Sequence, residues 1–154
     1  KKKIKLNNSL KKYFINKYFL PELQLKLVDK LKNFANTSID ISDGLISDLD
    51  KMINIQKFSY KLNLENIPIS NNLKKIIDFK KLKKINFISN GDDYQILFTA
   101  SKNKRRIIKN IALKNRIKIT NIGEIQNINK KSSIVNENNM KIMLKSKGYI
   151  HEFN

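Results

Sequence analysis

An α/β (α+β) fold is predicted from three observations. Segments with helical apolar spacing alternate with short apolar runs of strand length. Clusters of Ser, Asn, Asp, Gly and Pro separate them. The 154 residues suffice for one domain whose core needs no covalent staple, and the chain has no cysteine to form one.

The elements follow in order. Asn8 or Ser9 caps a first helix that carries Leu10, Phe14 and Tyr18 and stops at Pro21. A second helix runs from about Glu22 to Phe34, with Leu23, Leu27, Leu31 and Phe34 at helical spacing. "SIDI" is a short strand, and "SDGLISDLDKMINI" a helix with Leu45, Leu49 and Met52 on one face and Ser42 or Asp43 at its cap. "FSYKLNL" alternates, so Phe58, Tyr60, Leu62 and Leu64 share one side of a strand. "ENIPIS" is a turn, followed by lysine-rich helix to about residue 84. The turn "SNGDD" leads into the strand "YQILFTA", whose continuous apolar run predicts burial on both faces. Ser101 caps the helix "KNKRRIIKNIAL", and "IKITNIGEI", "SSIVN" and "MKIMLK" are strands. "NKKSSIVNENN" is the most loop-like stretch, and no internal repeat is present.

Composition narrows function. The formal net charge is +19, but only Arg105, Arg106 and Arg116 among the 32 basic residues are arginine, and the lysines spread over the whole length. Base readout favours arginine's planar fork, and single-strand binding favours aromatic platforms beside basic grooves. Neither pattern is present, so no specific nucleic-acid partner is expected. No membrane is expected either, since no apolar run spans a bilayer. Lysines and asparagines interrupt the opening "KKKIKLNNSLKKYF", so it does not read as a signal peptide. The absence of thiols fits a reducing, cytoplasmic setting. A first residue that is lysine reads as a fragment or a trimmed chain.

Against this basic background, Asp40, Asp43, Asp48 and Asp50 fall within eleven residues around Gly44. Two carboxylates across a strand-to-helix turn, Asp40 and Asp43, suit one hard cation with phosphate oxygens and water completing its shell. The helix N-terminus adds amides that favour phosphate, and Gly44 lets backbone approach a ligand. The plainer alternative makes Ser42 and Asp43 caps and Asp48 and Asp50 a solvated face. In "SNGDDYQILFT", Asp92 and Asp93 either face a ligand from a strand edge or close a polar turn on their own backbone.

Together, "SIDISDGLISDL", "SNGDDYQILFT" about fifty residues on, "NIGEI" and the closing "GYIHEF" resemble the thiamine-monophosphate kinase family, whose usual forms are "DISDGL.ADL", "SGGEDYELLFT", "IGRI" and "GY.HF". "KYFLPELQLKL" is similar to the family's helix lead-in, and Gly44, Gly91, Gly123 and Gly148 all occupy motif positions. The resemblance runs from about Tyr18 to the C-terminus and covers the family's C-terminal domain only. It implies a three-layer α/β/α sandwich with a mixed sheet, like the C-terminal domain of aminoimidazole ribonucleotide synthetase. Residues 1–20 would then be a lead-in from a missing N-terminal domain, and 21–154 the C-terminal domain.

The implied reaction moves the γ-phosphoryl of ATP onto thiamine monophosphate, giving thiamine diphosphate, with Mg2+ as cofactor. The acceptor is already an anionic phosphate oxygen, so no acid–base residue is needed, and catalysis is positioning and charge neutralisation. By position, the resemblance makes Asp40 and Asp43 metal ligands, puts Ser42 on ATP and Asp92 on substrate, and sets Tyr149 or Phe153 against the thiamine rings. The complete protein would be a homodimer, and this part alone inactive or nearly so. Asn90 replaces a family glycine, Asp92 is one methylene shorter than the family glutamate, and "GYIHEF" is one residue longer than the usual ending. His151 reads as a packed or capping histidine, Tyr94 and Phe98 as core, and "KNKRR" as a solvated helix start. The competing readings are another ATP-dependent synthetase of the same superfamily and a stand-alone basic module binding nucleotide or nucleic acid.

Overall fold

The computed structural model describes residues 5–54 and 56–144. Five helices alternate with six strands there: α1 (Asn8–Phe19), α2 (Leu25–Leu31), β1 (Ala35–Asp40), α3 (Leu45–Asn54), β2 (Ser59–Asn63), α4 (Asn71–Lys80), β3 (Ile96–Ala100), α5 (Arg105–Asn115), β4 (Gly123–Gln126), β5 (Ser133–Val135) and β6 (Lys141–Ile142). The strands form a mixed sheet in the order β4-β2-β5-β6, parallel only between β2 and β5, and an antiparallel ribbon of β1 with β3. The α/β class expected from the sequence is the one observed, with the strands divided between two sheets.

The core lies between α3 and the mixed sheet. Leu45, Ile46, Leu49 and Ile53 of α3 pack with Tyr60 and Leu62 of β2, Leu64 and Ile67 beyond it, Leu97 of β3 and Ile134 of β5. Each such side chain contributes about 1.5–3 kcal/mol on full burial. Tyr60 and Leu62 alternate with the outward Lys61, as predicted, whereas Phe58 lies before the strand and is 44% exposed.

Several boundaries differ from the predicted ones. The first cap is Asn7, whose Oδ1 accepts from the Leu10 amide at 2.8 Å, rather than Asn8 or Ser9. Helix α2 begins only at Leu25, so Leu23 of the expected helical face lies outside it and is exposed. Strand β3 begins at Ile96 because Asp92 and Tyr94 sit at φ 64° and 50°, outside the extended region. Only Leu97 of β3 is buried, because a two-stranded ribbon has no second covering layer. Ser101 has cap backbone geometry but makes no side-chain cap bond, and a single 3₁₀ turn (Lys102–Lys104) leads into α5. Of "IKITNIGEI" only the part from Gly123 onward is strand, with β4 running on to Gln126, while "SSIVN" holds β5 as expected and "MKIMLK" only the two-residue β6.

Helix α1 buries no residue. Around it and α2, Tyr18, Phe19, Leu20, Leu23, Leu25 and Val28 are all more than half exposed.

Candidate functional site

The acidic cluster and the glycine turn, far apart in sequence, meet through backbone pairing. Asp40 pairs with Ile96 at the end of the β1–β3 ribbon. The pairing continues beyond the strands: the Ile41 amide donates to the Gln95 carbonyl at 2.9 Å, the Tyr94 amide to Ile41 at 2.8 Å, and the Asp92 amide to Ser42 at 2.9 Å. Both glycines serve this junction. A Cβ on Gly44, at φ 112°, would stand 2.6 Å from the Ser89 carbonyl oxygen, and one on Gly91 would overlap the carbonyl oxygen of Ser42. The room that Gly44 was expected to give a ligand is thus filled by the second loop.

Helix α3 starts at Leu45, directly after the 40–44 turn. Asp48, one turn inside the helix, reaches back: its Oδ2 accepts from the Ser42 and Asp43 amides, both at 2.9 Å. Its side chain is 1% exposed, which overturns the reading of Asp48 as part of a solvated face. The second oxygen, Oδ1, accepts from Lys51 Nζ at 2.9 Å, and the same ammonium also bonds Asp43 Oδ2. These two carboxylates hold the Lys51 ammonium above its usual pKa, Asp43 the more strongly. Every fully buried side-chain polar atom among the described residues has a partner.

The carboxylates aligned by the junction differ in environment. Asp43 is ion-paired, with its side chain 17% exposed. Asp40 is exposed at the strand end, and no described side chain pairs with it. Asp92 is exposed at positive φ, and its Oδ1 accepts from the Tyr94 hydroxyl at 3.4 Å. The negative charge of Asp92 is the main reason the Tyr94 hydroxyl titrates above its ordinary range, followed by lost hydration, with Asp40 the least of the causes. The Asp93 carboxyl is pushed up by lost hydration and then by Asp92, although the residue as a whole is exposed. Asp50 is engaged with Tyr60, whose hydroxyl is raised by burial first and by Asp50 second.

Ser42 is half-buried and built into the junction through its backbone N–H and C=O. Tyr149, Phe153 and His151 lie outside the described residues. Tyr94 is half-buried with its hydroxyl on Asp92, not a core side chain, while Phe98 packs edge-on against Phe34 with ring centroids 5.1 Å apart. "KNKRR" is exposed, as expected.

Sequence reasoning missed Asp48, Lys51 and Tyr94 as parts of the site. Position 48 lies three residues after Leu45 and four before Met52, so an aspartate stood on the face assigned to the core. That was the available signal. Lys51 carried none, being one lysine among many.

Among the described residues no three His, Cys, Asp or Glu side chains come together as a metal-binding group. Asp40 and Asp43 carry carboxylate oxygens, the donor type that hard cations take, three positions apart in the chain. This suits magnesium, which takes one or two carboxylates and fills its octahedron with water and substrate phosphates.

No protein-family model matches the sequence. The chain is 36% identical over 153 residues to a thiamine-monophosphate kinase of Buchnera aphidicola subsp. Acyrthosiphon pisum, covering 98% of this chain and 46% of that protein. It is 37% identical, with the same coverage, to a thiamine-monophosphate kinase of Buchnera aphidicola subsp. Schizaphis graminum. The chain thus spans about half the length of these curated relatives. Its fold matches a solved structure of AaThiL complexed with AMPPCP and TMP, at a TM-score of 0.72 and 24% identity, over 97% of this chain and 44% of that one.

Proposed function

From the relationship to thiamine-monophosphate kinases, which extends over nearly the whole of this chain and about half of theirs, we propose that it is the C-terminal part of such an enzyme. The complete protein would transfer the γ-phosphoryl of ATP to thiamine monophosphate in the cytoplasm. The observation that supports this reading is the junction of the 40–44 and 89–95 loops, in which backbone hydrogen bonds pair the turn carrying Asp40 and Asp43 with the turn carrying Asp92. That arrangement suits a reaction in which two polyanions must be brought together, since charge neutralisation and alignment are then the main tasks.

Asp40 and Asp43 would hold magnesium, whose bound charge offsets the repulsion between the two phosphates. Asp43 must exchange Lys51 for the cation, and Lys51 keeps an anchor on Asp48 when it does. Asp48 fixes the backbone of residues 42 and 43 and so keeps that carboxylate in place. Ser42 is assigned to ATP, and Asp92, with Tyr149 or Phe153, to thiamine monophosphate.

The exposed Tyr18, Phe19, Leu20, Leu25 and Val28 support a further part of the reading. Apolar surface concentrated in this way suits contact with another protein surface, here an N-terminal domain. The complete enzyme is read as a homodimer.

The test joins this chain to the N-terminal half of the Acyrthosiphon pisum symbiont's kinase and measures thiamine diphosphate formed from thiamine monophosphate and ATP. Turnover that depends on Asp40 and Asp43 is expected. A folded chimera that makes no product, beside an active parent enzyme, refutes the kinase reading.

A further inference from the structure

The mixed sheet turns one face toward the core and the other outward. Lys61 pairs with Ser133, and Lys141 with Val135, so side chains on the outward face come from β2, β5 and β6 together. This face floors a groove of about 340 Å3, whose lining includes Lys61, Lys130, Lys131, Lys141, Gln126 and Asn139, and no carboxylate. It shares no residue with the junction of the 40–44 and 89–95 loops.

Both walls are braced. On one side, Ser59 Oγ donates to the Asn127 carbonyl at 3.0 Å, the Tyr60 amide donates to Ser132 Oγ at 3.3 Å, and the Lys130 amide closes a turn onto Asn127 at 3.1 Å. These bonds pin the segment that carries Lys130 and Lys131. On the other side, Asn136 Oδ1 accepts from the amides of Asn138 and Met140 at 3.0 and 2.9 Å, which shapes the turn holding Asn139 at φ 59°. Asn139 Oδ1 in turn accepts from Lys61 Nζ at 3.0 Å. One of the four ammonium groups is therefore held in place, and the others ride on a hydrogen-bonded turn and a strand. Glu124 stands opposite Lys61 in the β4–β2 pairing and accepts from Gln126 Nε2 at 3.0 Å, but it does not line the groove.

We propose that this groove binds a run of phosphate groups. Four lysines with no acidic lining residue select for a polyanion, and lysine serves phosphate as a point charge. The lining contains no aromatic ring and no arginine, so it has neither a stacking platform nor a base-reading fork. What it recognises is the phosphate chain, whether free oligophosphate or the backbone of a single-stranded nucleic acid. This site stands independently of the kinase reading, since it uses different residues on a different sheet.

The test titrates the full chain at 150 mM salt with inorganic tripolyphosphate and, separately, with a ten-nucleotide oligouridylate. The variants are Lys61→Gln with Lys141→Gln, Lys130→Gln with Lys131→Gln, and the charge-matched control Lys74→Gln with Lys75→Gln on α4. Each is checked for native circular dichroism. Each groove pair is expected to weaken at least one ligand tenfold or more, and the control less than twofold. Loss with tripolyphosphate assigns the site to free oligophosphate, and loss with the oligonucleotide alone assigns it to a nucleic-acid backbone. Equal losses in groove and control variants overturn the proposal, because the binding is then only the diffuse attraction of a chain of charge +19. No binding of either ligand overturns it as well.

Discussion

The junction around Ser42 and Gly91 and the segment formed by α1 and α2 are opposites within one chain. In the junction, backbone amides, carbonyls and the buried Asp48 carboxylate satisfy one another, and two glycines are needed for the loops to fit. In the other segment nothing is buried by α1, only Leu27 by α2, and Phe19 and Leu20 are 71% and 75% exposed. The contrast separates a region closed by its own backbone from one that keeps apolar side chains on the surface. Scaffolding for the acidic site is internal, whereas α1 buries nothing and α2, which touches α5, buries only Leu27.

The largest effect expected is on turnover. Asp43→Asn in the joined kinase should lower the rate of thiamine diphosphate formation by a factor of roughly 100 or more, the scale of losing a focal charge at a phosphoryl-transfer site. Circular dichroism should remain native, and near-normal turnover removes Asp43 from the metal site.

Next comes Gly91→Ala. Its methyl meets the Ser42 carbonyl, which is backbone and cannot rotate away, so urea unfolding should show a loss of about 1–3 kcal/mol. A neutral result would mean that the loops do not interlock. Asp48→Asn follows, since an amide cannot reproduce a carboxylate that accepts two amides on one oxygen and an ammonium on the other. About 1.5–3 kcal/mol is expected from the same measurement. On the opposite side of the comparison, Phe19→Ser and Leu20→Ser should each change the stability of the isolated chain by less than about 0.5 kcal/mol. A large loss there would show that α1 is packed.

The smallest effect tests Asp93. Its folded pKa is raised above the ordinary 3.8, so the unfolded chain ionises first as pH rises. Stability contributed by the protonated carboxyl is therefore full below 3.8 and lost as pH climbs through the raised value. Asp93→Asn should unfold at slightly higher urea than the parent at pH 7, and the two should converge near pH 3. An advantage that is unchanged at pH 3 would point to a cause other than ionisation.

Much of this was legible in the sequence because it depends on local rules. Period-2 alternation located β2, helical spacing located α3, and the two aspartate–glycine stretches were recognisable as a pair. Their spacing and order carried the resemblance that the relatives support. What remained hidden depended on contacts between segments far apart in sequence. Asp48 looked like surface because charge on a helix is usually solvated, and only the returning backbone of residues 42 and 43 makes it a buried acceptor. Strand β3 looked buried on both faces because its residues are apolar, yet it lies in a two-stranded ribbon with only Leu97 covered.

The sequence by itself determined the element types, the basic charge, the absence of thiol chemistry and the pairing of the two acidic motifs. All of these follow from residue identity and short-range spacing. Tertiary structure alone decided that Gly44 and Gly91 make room for backbone, that Lys51 bridges Asp43 and Asp48, and that dispersed lysines gather over one sheet face. Those facts depend on where distant segments meet, and strand pairing, not local propensity, sets that.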